Sequence, residues 1–353
     1  MKLFLFCLLG IALFFGNNAF SSGSVVQTIV QDNGWGVTAV DPQTNKVYIT
    51  NFKSDTVTVL DGQTNKPISE IKVGNTPYGI GINTVTKTLY VALERANVLA
   101  IVDATSEQVI KNVTMADPYD IAVNSKSNMA YVTSDKEGLV NVIDGASNEI
   151  ITTLDVLKPC GIAVNENTNT VYVTSESQNK VFVFDGAKNN LITSIDVGSS
   201  PRGVVPNPNT NMIYVTNQMS GTVSVIDGAK NQVVDSIPVG DTPRRIVINP
   251  TSNLIYVSNQ IPNSITVIDG ATNEVVDSIP VEQPYELMIN QKTNKIYATY
   301  FGYPGLSIVN EELNPDSSEN YDEMIGIIVA GIIAAGIAFF IIFKKKKQLA
   351  KVR

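Results

Sequence analysis

Between residues 24 and 310 the apolar positions fall in short bursts separated by polar and glycine-rich breaks. The stretch 161–198 shows the pattern most clearly, as GIAVN (161–165), TVYVTS (170–175), KVFVFDG (180–186) and NLITSIDVG (190–198). Each burst is rich in Val, Ile and aromatic residues, alternates in part with a period of two, and is bounded by Asn, Gly, Pro, Asp or Ser, which predicts four hairpin-linked β-strands. Nothing in this region sustains a helical period over ten or more residues, so the fold class is all-β.

The four-burst pattern repeats. Tyrosines recur at Tyr48, Tyr90, Tyr131, Tyr172, Tyr214, Tyr256 and Tyr297, with spacings of 42, 41, 41, 42, 42 and 41 residues. A repeat of about 40–45 residues carrying four strands predicts a β-propeller blade. Segments of the VVDSIPV type stand at 67–73, 109–115, 150–156, 191–197, 233–239 and 275–281, and a further one, VVQTIV, at 25–30. The final repeat, 284–310, holds only three strands. The chain therefore predicts a seven-bladed β-propeller of four-stranded blades over 24–310, in which the N-terminal strand 24–30 completes the last blade. That arrangement removes the unpaired edges where first and last blades meet.

Around each tyrosine the residues read YITN at Tyr48, YVTS at Tyr131 and Tyr172, YVTN at Tyr214 and YVSN at Tyr256, degrading to YVAL at Tyr90 and YATY at Tyr297. Strand ends of the VIDG type follow at Asp61, Asp144, Asp185, Asp227 and Asp269, with Asp103-Ala104 and Asn310-Glu311 as departures. These motifs resemble those of the YVTN-repeat β-propeller family, which includes archaeal surface-layer-type and bacterial periplasmic proteins. The resemblance covers most of residues 24–310 and implies the propeller fold. It implies little about activity, because propellers host unrelated functions. The repeated tyrosine is expected to wedge between adjacent blades with its hydroxyl tied to a neighbour. The repeated Asp-Gly is expected to begin a tight turn, the carboxylate accepting turn N–H groups.

The two ends read as addresses. Residues 1–23 begin with Lys2, pass through the uncharged, mostly apolar run 3–15 and end in small and polar residues, as a secretory signal peptide does. Residues 325–343 form 19 uncharged positions followed at once by Lys344, Lys345, Lys346 and Lys347, which predicts one transmembrane helix with a basic cytoplasmic tail, 344–353. The acidic, Pro- and Ser-containing stretch 311–324 reads as a hydrated tether. The expected location is the cell membrane, single-pass, with the propeller outside. Gly326, Ala330, Ala334 and Ala338 place small residues on one helix face, a surface for a homodimer.

Charge and composition narrow the function. Of 25 basic residues, Lys2 and six in the tail lie at the ends, while all 33 acidic residues lie between, so the body is more acidic than the whole-chain net of −8. Such a surface repels phosphate backbones, and no nucleic-acid partner is expected. The chain contains no histidine, which excludes Ser-His-Asp triads and histidine-bound haem or zinc. No cofactor and no metal site is expected. The two cysteines are Cys7, in the signal, and Cys160, so no internal disulfide is expected in the mature chain. A sequon at Asn112-Val113-Thr114 makes Asn112 a glycosylation candidate on an outer strand.

Asymmetry within the repeat marks a candidate site. A residue thirteen positions before each repeated tyrosine opens the innermost strand: Pro77, Pro118, Pro159, Pro201, Pro243 and Pro284, with Trp35 in the first repeat. The next position, expected to line one mouth of the central channel, reads Gly36, Tyr78, Tyr119, Cys160, Arg202, Arg244 and Tyr285. Tyr285, Trp35, Tyr78 and Tyr119 form an aromatic arc, and Arg202, Arg244 and the adjacent Arg245 a cationic one. If the mouth is open, the arginines offer forked donors to an anion and the aromatics a flat apolar or sugar-stacking surface. The expected function is a membrane-anchored binding or scaffold module at the cell surface, with a cell-envelope protein or glycan as partner. The alternative is an extracytoplasmic enzyme or small-ligand binder using the funnel mouth. The virginiamycin B lyase family has a similar seven-bladed architecture, but its chemistry implies a histidine base that this chain lacks.

Overall fold

The computed structural model describes residues 24–29, 34–300 and 305–311. The segment expected as a signal peptide, 1–23, the expected tether beyond Glu311, the run 325–343 expected to span a membrane, with its small residues Gly326, Ala330, Ala334 and Ala338, and the basic tail all lie outside the described residues. Among the described residues no helix is long and apolar enough to cross a membrane.

The strands form seven antiparallel four-stranded sheets. Blades 1 to 6 occupy 35–72, 77–114, 118–155, 159–196, 201–238 and 241–280, each running from its innermost to its outermost strand in chain order. Blade 7 takes three strands from 284–310 and its outermost strand from Ser24–Ile29. That closing strand pairs with Leu306–Asn310, from Ser24 opposite Asn310 to Ile29 opposite Leu306. The strand count in the sequence thus locates the closure correctly.

Each blade is sandwiched between two others, so its middle strands are buried on both faces, which is why period-two alternation in the sequence is only partial. The core is divided accordingly. Seven apolar clusters each join two adjacent blades, and together they fill all seven interfaces, including that between blades 7 and 1. The seven repeated tyrosines are the largest fully buried side chains, none more than 1% exposed. Tyr131 donates to the Gly186 carbonyl, and Tyr297 to the Asn65 side chain at 3.1 Å, in both cases in the turn of the following blade. Burial pushes the phenols of Tyr90, Tyr131, Tyr172, Tyr214 and Tyr297 up to about 12.

The rest of the motif is also framework. Thr50, Thr174 and Thr216 donate to the carbonyls of Tyr78, Arg202 and Arg244 in the next blade at 2.8, 2.8 and 2.6 Å. Asn51 and Asn217 bind hydroxyls across their own hairpins. The turn aspartates accept backbone N–H groups two and three residues on, as at Asp61 and Asp185. Those bonds hold the Asp61, Asp103, Asp144 and Asp185 carboxyls below their ordinary value of 3.8.

One blade-to-blade latch was not read from the sequence. The innermost strand ends in Asn in five blades and is followed at once by Asn207 in blade 5, and the Nδ2 of each donates to a turn Asn of the next blade: Asn83 to Asn128, Asn124 to Asn169, Asn165 to Asn211, Asn207 to Asn253, Asn249 to Asn294 and Asn290 to Asn45, at 2.7–3.1 Å. The turn asparagines adopt left-handed backbone, which Asn tolerates well. In blade 1 the strand ends in Asp41, and the facing turn residue is Lys87, which binds it at 2.7 Å. The seventh latch is an ion pair in place of an amide pair. Glu311, placed in the tether by the sequence, is buried in the propeller, where it accepts from Asn249 and its N–H bonds the Asn294 carbonyl.

Candidate functional site

The innermost strands run around the channel from their proline ends at one mouth to their asparagine ends at the other. Each has a register irregularity just after its proline, or after Trp35 in blade 1, so the side chains at the mouth are set by an interruption of the ladder. Close packing of neighbouring strands also shapes this layer. A Cβ on Gly161 would lie 2.0 Å from the Arg202 carbonyl oxygen, so only glycine allows that approach.

Of the residues predicted to share a mouth, Tyr78, Tyr119 and Tyr285 meet one another, Arg244 meets Tyr285 and Arg202 meets Cys160. The Tyr78 and Tyr119 rings stack with centroids 4.8 Å apart and hydroxyls 3.1 Å apart. The Tyr78 hydroxyl donates to that of Tyr285 at 3.3 Å, although these residues flank blade 1 on opposite sides. Arg244 lies over the Tyr285 ring, 4.1 Å from its centroid, and its Nη2 donates to the Tyr285 hydroxyl at 2.7 Å. Arg202 binds Glu176 and Gln218 at 2.7 Å each and points Nη1 at the Cys160 sulfur at 3.4 Å. Trp35 opens the innermost strand of blade 1 and pairs with Asn51. An open funnel is therefore replaced by packed rings and paired guanidinium groups. The space left among Tyr119, Cys160, Arg202, Arg244, Arg245 and Glu286 is about 10 Å³, no more than one water fills.

Arg245 sits one residue deeper and belongs to a different layer. Its Nη1 donates to Asp120 at 2.7 Å and its Nε to Glu286. Asp120 is in blade 3 and Arg245 in blade 6, so this contact spans the channel. Asp120 further accepts the N–H groups of Ile121 and Ile162. Burial pushes the Glu286 carboxyl up, opposed by Arg245. Burial alone would favour loss of the Arg245 proton, but Asp120 and Glu286 hold its pKa well above the ordinary value. Burial also pushes the Cys160 thiol up, so it is a poor nucleophile. Sequence reasoning missed Asp120 and Glu286. The signal was present, since the same position is glycine in three blades, Gly79, Gly161 and Gly203.

Beyond this layer the channel is open. A cavity of about 490 Å³ extends from the Asp120–Arg245–Glu286 layer along apolar strand positions to the turns bearing Lys126, Glu166, Asn167 and Gln291. Asn112 is exposed on the outermost strand of blade 2, Gln108–Thr114, accessible as a sequon requires. Among the described residues no three carboxylate or cysteine side chains gather as metal ligands.

Comparison with known proteins fits this architecture. The family model described as Lactonase, 7-bladed beta-propeller matches residues 35–232, more than half of the chain. The chain belongs to that family. No curated protein matches. Among solved structures, a chain of Kuenenia stuttgartiensis hydrazine synthase aligns with a TM-score of 0.71 at 18% identity, over 81% of this chain and 98% of that one. A chain of a mitotic checkpoint complex crystal structure aligns with a TM-score of 0.72 at 13% identity, over 81% and 91%. At these identities the likeness is one of fold.

Proposed function

We propose that this lactonase-family propeller is a binding or scaffold module displayed at the outer face of a membrane, akin to the surface-layer-type members of the YVTN group, and not a hydrolase. The observation that carries this reading is the closed mouth, where the arginines and tyrosines of the funnel satisfy one another. A hydrolytic site needs an unengaged base and a donor directed at the reacting oxygen, whereas Glu286, although it lines the open cavity, is bound to Arg245. The chain has no histidine to supply the base. Anchoring rests on the uncharged run 325–343 and its lysines, the outward position of the propeller on the apolar segment 3–15, and the partner class, an envelope protein or glycan, on that location.

A second reading, hydrolysis of a cyclic ester, is favoured by the family description together with a buried carboxyl of raised pKa at the channel floor. Two assays on the full chain separate them. Met219 is 76% exposed, so in intact cells Met219→Cys should label with a membrane-impermeant maleimide, and Ala350→Cys only after permeabilisation; the reverse pattern overturns the topology. A panel of five- and six-membered lactones should show no turnover above background. Turnover that disappears in Glu286→Gln establishes the second reading.

A further inference from the structure

We propose that Asn112 carries an N-linked glycan, attached on the rim of blade 2. Asn112-Val113-Thr114 is one of only two Asn-X-Ser/Thr triplets in the sequence, and the other, Asn249-Pro250-Thr251, has proline in the middle, which the acceptor motif does not allow. The fold separates the same two triplets. Asn249 is fully buried, with its amide committed to Asn294 and Glu311, whereas Asn112 and Thr114 are both exposed.

The strand presents the triplet for modification. Along Gln108–Thr114 exposure alternates residue by residue, so Asn112 and Thr114 share the solvent face while Val113 turns inward onto the core between blades 2 and 3. Among the described residues neither the Asn112 amide nor the Thr114 side chain makes a hydrogen bond, so substitution at Nδ2 breaks none. Lys111, the one charge of the strand, is drawn aside to the Ser147 carbonyl and Glu149. The strand is also the outer edge of its sheet, where a bulky hydrated group blocks pairing with another chain. The co-reactant is a lipid-linked oligosaccharide phosphate or diphosphate. Nδ2 gives up one proton and bonds the anomeric carbon of the first sugar, while the bond from that carbon to the phosphate oxygen breaks and the lipid phosphate leaves with the electron pair. Nothing is oxidised or reduced. Such transfer acts on exported chains, so the glycan requires the outward position proposed above.

The test uses the full chain isolated from the membranes of its own cells, read by intact mass and by sugar fragment ions on the peptide containing residue 112. The protein should be heavier than its amino-acid sequence, and chemical deglycosylation should remove the excess. Asn112→Gln and Thr114→Ala should each lose the whole excess, while Thr114→Ser, which keeps a hydroxyl two residues on, should retain it. Where Asn112→Gln accumulates poorly, the Thr114→Ala and Thr114→Ser pair decides. Labelling of Met219→Cys in intact cells reports the topology separately. Labelled protein with no sugar on residue 112 overturns the glycan and leaves the outward position standing, and protein that is neither labelled nor glycosylated overturns both. An excess mass that survives Asn112→Gln places the sugar elsewhere and also overturns the proposal.

Discussion

The two ends of the channel are lined by the same seven strands and differ in almost every other respect. At the proline end, long polar and aromatic side chains point inward and consume one another, Arg244 on Tyr285 and Tyr78 on Tyr119 and Tyr285. At the asparagine end the inward positions are short and aliphatic, and the polar side chains turn sideways into the latches between blades. The first end is rich in chemistry and closed, and the second is plain and open. Residue types that look like a ligand site in a sequence make one only if the fold leaves their donors unsatisfied. Here the richer end holds the ring together, and the plainer end has the room.

The largest expected effect removes the frame that both ends share. Deleting residues 24–29 strips blade 7 of its outer strand and opens the ring, and should cost about 5 kcal/mol or more, comparable to the stability of a whole domain. Urea unfolding of the full chain checks this, and a loss under 1 kcal/mol would mean that the closure is incidental.

Next comes the layer that divides the two ends. Arg245→Met leaves Asp120 and Glu286 buried without their cation and should cost about 3–5 kcal/mol. Adding Asp120→Asn and Glu286→Gln to the same protein should recover most of the loss, because the cost lies in uncompensated charge. Arg244→Ala, by contrast, gives up a ring contact and one hydrogen bond and should cost about 1–2 kcal/mol. If Arg244 proves costlier than Arg245, the division between mouth and floor is misdrawn.

A smaller effect is pH-dependent. The turn carboxyls of Asp61, Asp103, Asp144 and Asp185 titrate below 3.8 in the folded chain. Their contribution is present above 3.8 and is lost as pH falls through the lowered folded values. Glu286, raised from 4.5 by burial, acts in the opposite sense, its contribution being full below 4.5 and lost as pH rises through the raised value. The thermal midpoint should therefore drop on acidification below 3.8, and Glu286→Gln should flatten the profile only above 4.5.

Most of the frame was legible because it repeats. Seven tyrosines in phase reveal the strands and blades, and a missing fourth strand at 284–310 together with a spare one at 25–30 reveals the closure. The mouth was half legible. Tyr78, Tyr119, Arg202, Arg244 and Tyr285 each follow a proline in the sequence, but their mutual pairing depends on side-chain reach across the ring, which periodicity does not encode. Asp120 and Glu286 escaped because they occur in single blades, where a search for repeated features averages them out. The latch was open to a closer reading, since Asp41 replaces Asn in the same ring position whose facing turn holds Lys87 in place of Asn, a paired exchange visible within one sequence.

The difference between the two ends is tested most directly by thiol accessibility. Cys160 lies at the closed mouth, buried against Arg202, while Ala163 in the same strand lines the open cavity. In a full chain carrying Cys7→Ser, a small neutral thiol reagent should leave Cys160 unmodified until the protein is unfolded in urea. With Cys160→Ser added, the thiol introduced by Ala163→Cys should react in the folded state. Rapid modification of Cys160 in the folded protein, or protection at position 163, would contradict the account of a sealed mouth and an open opposite end.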